Sequence, residues 1–208
     1  ESLSKLEDVY QPFKPKRRTK ATIAKERGLE PLAEFILNNQ QSGCSEKAGE
    51  FVNAEKEVPD IQAALAGARD IIAEIVADDA LARSSMRDYF DKNAVLSSRV
   101  LPGKEEDGAK YRDYFNWSEN AAAAPSHRVL AIRRGESEGF LVMRVIPDEE
   151  GAISILKKLF VKDASGECAK EVAAAVEDSY RRLLSSTTET YMRLEIKKRA
   201  DEEAVRVF

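Results

Sequence analysis

The sequence predicts a mainly α fold, a multi-helix scaffold with a helix-turn-helix-like element and a small two-stranded β insertion. Charged residues make up 34% of the 208 residues and aromatic residues only 7%. This composition favours helices over a β sandwich. Apolar side chains recur at helical spacing along most of the chain, whereas only two short runs have strand character. A hydrophobic content of 43% is sufficient for a folded core.

The N-terminal part is predicted to contain a short helix followed by a basic connector. The helix runs from Ser2 to about Val9 and leads into the segment YQPFKPK. Pro12 and Pro15 prevent a continuous helix there and favour extended backbone. The basic residues that follow should therefore lie on a connector.

A helix-turn-helix-like element is predicted next. Thr19 can cap a helix that continues to about Arg27, and Gly28 supplies a left-handed stop. The dipeptide Glu30-Pro31 then begins a second helix. Packing is the expected role of this second helix, because its polar residues are acids and amides, which suit phosphate contact poorly.

The clearest helix is predicted to begin after Pro59. Its apolar residues follow the i, i+3, i+4, i+7 pattern of a helix with one buried face; they are Ile61, Ala64, Leu65, Ala68, Ile71, Ile72, Ile75 and Val76. A short helix, Ala48 to Val52, should precede it. A further helix, capped by Asp78 or Asp79, should run to about Lys92.

Two segments are predicted to be strands. Val95 to Leu101 is short and partly alternating, and Phe140 to Ile146 is β-branched and ends at Pro147. Between them we expect a loop and a short helix bearing Tyr111. The sequence PSHRVLAIRRG then fits a helix capped by Ser126 and ended by Gly135. Its VLAI stretch could equally be a strand.

The last part is predicted to be helical again. Helices should cover Ile153 to Phe160 and Ala169 to Leu184, with a break at Ser-Ser-Thr-Thr and a long helix from Glu189. These patterns divide the chain into three domains. They are a helical region with the basic connector (1–93), a small α+β insertion (94–148) and a helical segment (149–208).

Nucleic-acid binding, if present, should be local. The net charge is −4, from 33 Lys+Arg against 37 Asp+Glu, and an acidic chain gains no general attraction to phosphates. The segment KPKRRTK carries five basic side chains and no acid. The candidate phosphate contacts are Lys14, Lys16, Arg17, Arg18 and Lys20. Alternatively, these side chains cap helix C-termini or pair with acids in segments of a longer protein that lie outside this sequence.

No catalytic or metal-binding pattern is found, so the chain is not expected to be an enzyme or to hold a cofactor. His127 is the single histidine, which excludes a two-histidine metal site. Cys44 and Cys168 stand apart in sequence and are expected to be buried free thiols. The loop GKEEDGAK lacks the Gly-Lys-Ser/Thr of a phosphate-binding loop.

The chain is expected to be a cytoplasmic internal piece of a longer protein. No apolar run approaches the roughly 20 residues needed to span a bilayer, and the start lacks a signal-peptide core. Glu1 is not preceded by an initiator Met, and Phe208 lies inside a helical pattern.

Several phrases together resemble one family, the Tex-like transcription accessory proteins of bacteria. They follow the family's order and span nearly the whole chain: EDVYQPFKPKRRTKATIAKERGLEPLA, FVNAEKEVPDIQAALAGARDIIAE, GKEEDGAKYRDYF, PSHRVLAIRRGESEGFL and DEEAVRVF. The resemblance implies the later part of an N-terminal helical region. Residues 149–208 would then lead to a YqgF-like domain, followed by helix-hairpin-helix modules and an OB-type RNA-binding domain.

The resemblance also implies a role in transcription with weak binding of RNA or DNA by this part. Family members bind nucleic acid, mainly through the OB-type domain, and no family catalytic residue maps onto this sequence. The alternative is a protein-interaction scaffold that docks RNA polymerase or another partner without touching nucleic acid. An exposed apolar patch would favour that alternative.

Overall fold

The computed structural model describes Leu6, Tyr10 and residues 18–207, with the side chain of Val207 left aside. Apart from Leu6, the predicted helix from Ser2 to about Val9 lies outside the described residues, as do Lys14, Lys16 and Arg17. The helices are α1 (Lys20–Glu26), α2 (Glu30–Asn38), α3 (Cys44–Gly49), α4 (Ile61–Asp78), α5 (Ala80–Asn93), α6 (Ser126–Ser137), α7 (Glu149–Phe160), α8 (Glu167–Ser179) and α9 (Ser185–Val207). The strands are β1 (Val95–Val100), β2 (Asn116–Asn120) and β3 (Leu141–Ile146).

The prediction of a mainly α fold is confirmed, and so are its main helices. Short 3₁₀ helices add Ala54–Lys56 and Ala109–Tyr114, and a π-helical turn, Tyr180–Leu184, joins α8 to α9. The chain forms two compact units. The first contains residues up to Ser85 together with Glu150–Leu184, and the second contains Met86–Glu149 together with residues from Ser185 onward. These two units do not test the division into three domains, which remains a prediction.

The first unit is organised around α4. Asp60 caps this helix, since its carboxylate accepts a hydrogen bond from the Ala63 N–H at 2.7 Å. Most of the apolar residues that the pattern placed on the buried face are indeed buried. Close packing is visible at Gly67, where an added Cβ would lie 2.3 Å from Leu29 Cδ1. Glycine at this position therefore allows Leu29 and Ala24 to approach the helix backbone.

The helix-glycine-helix at residues 20–38 has the predicted form. Thr19 caps α1 by accepting from the Thr22 N–H at 3.0 Å. Gly28 adopts φ +83°, the left-handed conformation that ends a helix at little steric cost. Leu29 then caps α2, with Pro31 in its first turn. The buried residues Leu32, Ala33 and Ile36 confirm that α2 presents an apolar face to the core.

The second unit contains a three-stranded antiparallel sheet in the order β2-β1-β3. The two predicted strands are confirmed as β1 and β3, but the insertion is three-stranded rather than two-stranded. The third strand, β2, has the sequence NWSEN, which lacks β-branched residues and therefore gave no strand signal. Its register with β1 pairs Ser97 with Ser118.

Side chains from α6 and α9 cover the outer edge of β3. The Glu136 carboxylate accepts from the Met143 N–H at 3.2 Å, while the Arg193 guanidinium donates to the Met143 carbonyl at 2.8 Å. Glu136 and Arg193 also pair with each other at 2.5 Å. The Glu189 carboxylate accepts from the Val145 N–H at 2.9 Å and from Arg144 Nε at 2.8 Å. These side chains occupy the groups that a further strand would bond.

Two predicted features of α6 are wrong in detail. Ser126 is the first helical residue and Pro125 precedes it as the cap, so Ser126 does not cap the helix. The helix also continues past Gly135 to Ser137. Gly135 is required for packing instead, since an added Cβ would lie 2.6 Å from Leu141 Cδ1. The left-handed glycine is Gly139, with φ +78°. The VLAI stretch, for which the sequence allowed either a helix or a strand, is helical.

The predicted break at Ser185 to Thr188 is also wrong, because these residues are helical. Thr188 and Glu189 are buried, and the Thr190 hydroxyl donates to the Ser186 carbonyl at 2.9 Å. A hydroxyl that bonds the carbonyl one turn earlier is compatible with a continuing helix. The regular α-helical hydrogen bonding is interrupted earlier in the chain, at the π-helical turn Tyr180–Leu184. Similarly, the short helix predicted from Ala48 begins at Cys44.

Candidate nucleic-acid interface

Arg18 and Lys20 are the candidate phosphate contacts that the structure describes, and both are exposed. They flank Thr19, the cap of α1, which also donates from its hydroxyl to Glu74 on α4 at 3.0 Å. Because Thr19 is fixed in this way, the start of α1 is attached to the core of the first unit. Arg18 and Lys20 are therefore held at the surface of an ordered helix start.

Arg18 is paired with an acid of its own fold. Its guanidinium donates to Glu26 Oε2 at 2.8 Å, and the two side chains are 69% and 53% exposed. A pair this exposed is worth at most about 1 kcal/mol, because water screens it. A phosphate could replace Glu26 as the partner of Arg18 at little free-energy cost.

Lys20 lies within the field of acids on α4. Burial raises the pKa of Asp70, and the positive charges of Lys20 and Arg182 oppose that rise. Arg182 approaches Asp70 to 3.5 Å and pairs more closely with Asp178, at 2.5 Å. The surroundings of Lys20 are therefore mixed in charge rather than uniformly basic.

The remaining basic residues of α1 and its turn also have acidic partners. Lys25 pairs with Glu30 at 3.1 Å, and Arg27 donates to Glu57 at 2.7 Å. The Arg27 contact lowers the pKa of the exposed Glu57 carboxyl. These acidic partners belong to the described part of this chain, whereas the alternative interpretation of the basic connector places the acids outside this sequence. The neighbourhood of Arg18 and Lys20 thus supplies few unpaired cations.

No metal centre is found among the described residues, where no group of three or more His, Cys, Asp or Glu side chains could hold an ion. His127 is exposed on the first turn of α6. Cys44 and Cys168 are buried free thiols, as predicted. Burial, together with the neighbouring Cys168 and Glu167 groups, raises the pKa of Cys44 to about 12. Its nucleophilic thiolate form is strongly disfavoured at neutral pH.

A side-chain network at the edge of β3 was not predicted from sequence. It joins Glu136, Arg193, Glu189 and Arg144 along the edge of β3. Arg133, Glu189 and Arg193 also line an open depression of about 300 Å³. The spacing of Glu189 and Arg193, four residues apart on one helix, was the signal that could have found part of the network. That spacing lies within the helix predicted from Glu189, but the partners Val145 and Glu136 stand 44 and 57 positions away in sequence, and no local pattern indicates such contacts.

The described helices include none that is long and apolar enough to cross a membrane. Fold and site together define a mainly α protein with a small three-stranded antiparallel sheet. Residues 39–208 match the family model described as Tex central region-like, so the chain belongs to the Tex family. The predicted resemblance is confirmed.

Individual relatives agree with this assignment. The chain is 39% identical to Protein YhgF of Escherichia coli K12 over all of its length and 28% of that protein. It is 44% identical to the transcriptional accessory protein Tex of Neisseria gonorrhoeae, over 69% of this chain and 19% of that protein. It is 26% identical to human S1 RNA-binding domain-containing protein 1, over all of this chain and 22% of that protein. The chain thus spans less than a third of these relatives.

Proposed function

We propose that this chain is a helical scaffold of a Tex-like transcription accessory protein and that its basic connector contacts nucleic-acid phosphates. The observation that carries the proposal is the cluster of five basic residues without an acid at residues 14–20. Its described members, Arg18 and Lys20, are exposed at the start of α1. The names of two relatives, which refer to transcription and to RNA binding, support the same direction.

The proposed binding is weak and insensitive to sequence. Lys and Arg side chains that contact phosphates carry no base information, and the net charge of −4 opposes attraction by the rest of the chain. RNA and DNA are both suitable ligands for such contacts. Competition between Glu26 and a phosphate for Arg18 lowers the affinity further.

A protein-interaction scaffold is the second candidate function. In this case the helices dock RNA polymerase or another transcription protein, and nucleic acid is not contacted directly. The pairing of Arg18 with Glu26 and the acids around Lys20 favour it, because part of the basic connector is then occupied within the fold. The two candidates differ in whether salt-dependent nucleic-acid binding exists at all.

Fluorescence anisotropy with labelled single-stranded RNA and duplex DNA, measured over a salt series, distinguishes the candidates. If five phosphates are contacted, log K should fall with log salt at roughly −0.9 per contact on duplex DNA and roughly −0.7 on single strands. Replacing Lys16, Arg17 and Arg18 by Ala should remove most of the binding and flatten the slope.

The matched control replaces Lys92, Lys158 and Lys170 by Ala. These lysines are exposed and lie on α5, α7 and α8, away from the connector in sequence, and both triple variants lower the net charge of −4 by three. The control should bind nearly as well as the unmodified chain. Equal losses in both variants, or binding that does not respond to salt, would exclude the connector as the phosphate contact.

We further propose that the chain contributes no catalytic residue and acts in the bacterial cytoplasm. The raised pKa of Cys44 and the exposed, isolated position of His127 support the first statement. Relatives named for transcription support the second, since bacterial transcription takes place in the cytoplasm. Assays of nuclease and nucleotide hydrolysis on the chain should give only background rates.

A further inference from the structure

The two outer edges of the three-stranded sheet differ. An edge strand presents unpaired N–H and C=O groups, and proteins usually block them with charged side chains, proline or a covering element. At β3, Glu136, Glu189 and Arg193 occupy these groups, as described above. At β2, the residues are NWSEN, with neither Lys nor Pro among them.

In an antiparallel sheet, successive residues of a strand direct their main-chain N–H and C=O groups to opposite sides, which identifies the groups of β2 that point away from β1. Met143 and Val145 send their N–H groups away from β1 to Glu136 and Glu189. Along β1, alternate residues bond the two neighbours, so Leu96 and Ser98 bond β2. The bond from the Val100 N–H to the Phe115 carbonyl, at 3.1 Å, continues this alternation.

It follows that Trp117 and Glu119, the partners of Ser98 and Leu96, bond β1 through their main chain. The main-chain groups of Asn116, Ser118 and Asn120 point outward from the sheet. All three residues are exposed. Among the described residues, no side chain or main-chain group bonds the N–H or C=O of Ser118. Its edge position is therefore open.

The sequence of β2 is complementary to itself when two copies run antiparallel about Ser118. Ser118 then faces Ser118, and each Asn116 faces the Asn120 of the other copy. Two residues that face each other in such a pair can exchange two main-chain hydrogen bonds, as the two Ser118 residues would. The Asn120 carbonyl already accepts from the Ala123 N–H at 3.2 Å, so each Asn116–Asn120 pair contributes only the bond from the Asn120 N–H to the Asn116 carbonyl. On the other face of the sheet, Trp117 of one copy lies opposite Glu119 of the other. Within one chain, Trp117 Nε1 already donates to Glu119 at 3.3 Å, so the two side chains are chemically compatible.

We propose that the β2 edge is a docking surface for a second copy of this chain, joined by antiparallel β2 pairing with a twofold axis at Ser118. Such an interface uses the same patch on both copies and closes as a dimer. Five residues bury far less surface than a standard interface of roughly 1,600 Å². The dimer is therefore weak, with a Kd on the order of 0.1–1 mM.

Hydrogen exchange measured by NMR on the 208-residue chain tests the pairing at about 20 µM, which is below this Kd range, and at about 1 mM, which is its upper limit. The amide of Ser118 should exchange roughly two- to fourfold more slowly at the higher concentration, as this range of Kd implies, and the amide of Asn120 should follow. The amides of Trp117 and Glu119 are the internal control, because they bond β1 in the monomer. Their exchange should not change.

Two substitutions at the same position provide the second test, read by sedimentation equilibrium. Ser118→Pro removes an outward N–H without affecting the β1 ladder, and proline is tolerated on edge strands. Its Kd should rise at least about tenfold, since two main-chain hydrogen bonds are lost. Ser118→Thr keeps the N–H and should dimerise as the unmodified chain does.

Three results would overturn the proposal. The first is a chain that stays monomeric at millimolar concentration, which would leave the edge to an extended peptide of another protein. The second is slower exchange that includes Trp117 and Glu119 equally, which would indicate general aggregation. The third is a dimer that Ser118→Pro leaves intact. If the proline variant does not fold, the exchange experiment on the unmodified chain decides alone.

Discussion

At the scale of single residues, Glu189 makes a structural contribution that the sequence did not reveal. The residue is 8% exposed, and its carboxylate accepts hydrogen bonds from the Val145 N–H and from Arg144. Replacing Glu189 by Leu leaves a buried N–H without a partner, which typically costs about 1–3 kcal/mol. We expect the free energy of unfolding, measured in urea, to fall by that amount.

The control for this substitution is Glu195→Leu on the same helix, because Glu195 is exposed. Its effect should stay within about 0.5 kcal/mol, as for most surface substitutions. Equal losses in the two variants would mean that helix propensity or charge, rather than the bond to the β3 edge, accounts for the effect. Glu189→Gln keeps an acceptor and should fall between the two.

Glu167 makes the stability of the first unit depend on pH. Its carboxylate accepts from the Ser45 hydroxyl at 2.5 Å and from the Gly43 N–H at 3.2 Å. The bond from Ser45, followed by those from Cys44 and Gly43, lowers the pKa of Glu167 below its usual 4.5. A lowered folded-state pKa contributes stability that is complete above the unfolded pKa and is lost as pH falls through the folded value.

The expected result is a shallower decrease in stability for Glu167→Gln than for the unmodified chain below about pH 5. Thermal unfolding measured between pH 7 and pH 3 checks it, with Glu46→Gln on α3 as an exposed control. At pH 7 the Gln variant should already be less stable, because the charged acceptor is gone. An unchanged pH dependence in Glu167→Gln would contradict the assignment.

At the scale of elements, the packing of Leu29 and Ala24 against α4 depends on the absence of a side chain at Gly67. A Cβ there would lie 2.3 Å from Leu29 Cδ1 and 3.4 Å from Ala24 Cβ. Gly67→Ala should therefore destabilise the chain by about 1–3 kcal/mol, the usual cost of overpacking. This loss exceeds the gain of up to about 1 kcal/mol that alanine brings to a helix.

Gly49 at the end of α3 is the matched control, because an added Cβ there meets only Ile61 Cδ1 at 4.0 Å. Gly49→Ala should be neutral or stabilising by up to about 1 kcal/mol. Unfolding in urea measures both variants. A neutral Gly67→Ala would mean that Leu29 can move aside without loss.

The elements also show what the sequence could predict. Helix α4 was predictable because its apolar period, its capping Asp60 and its length agree. Strand β2 was not, because a five-residue polar strand becomes stable only through pairing with β1. The turn chemistry of Gly28 was predicted correctly, whereas Gly135 was misread because close packing against Leu141 leaves no local sequence pattern.

For the candidate interface too, local sequence features were predictable and tertiary contacts were not. The basic connector is visible as a run of neighbours, so sequence reasoning found it. In the structure Arg18 pairs with Glu26, and the positive charge of Lys20 acts on Asp70, some fifty residues away. Only the tertiary fold brings such acids close. Composition could therefore suggest a phosphate site but not how much of it is already neutralised.

At the scale of the whole molecule, each compact unit is built from two separate stretches of chain. The sheet lies in residues 86–149, yet Glu189 and Arg193, which occupy the edge of β3, belong to α9. Arg199 on α9 also donates to the Ala121 carbonyl at 2.8 Å, just after β2. The second unit should therefore not fold completely from its first stretch alone.

Truncation after Leu184 tests this dependence, since it removes α9 and leaves every residue of the first unit in place. In hydrogen-exchange measurements, the amides of β1 and β3 should lose most of their protection, because the edge of β3 and the buried residues Met192 and Ile196 are gone. The amides of α4 should stay protected, as the core of the first unit is retained. Protection of the β1 and β3 amides that survived the truncation would show instead that the sheet is stable without its α9 contacts.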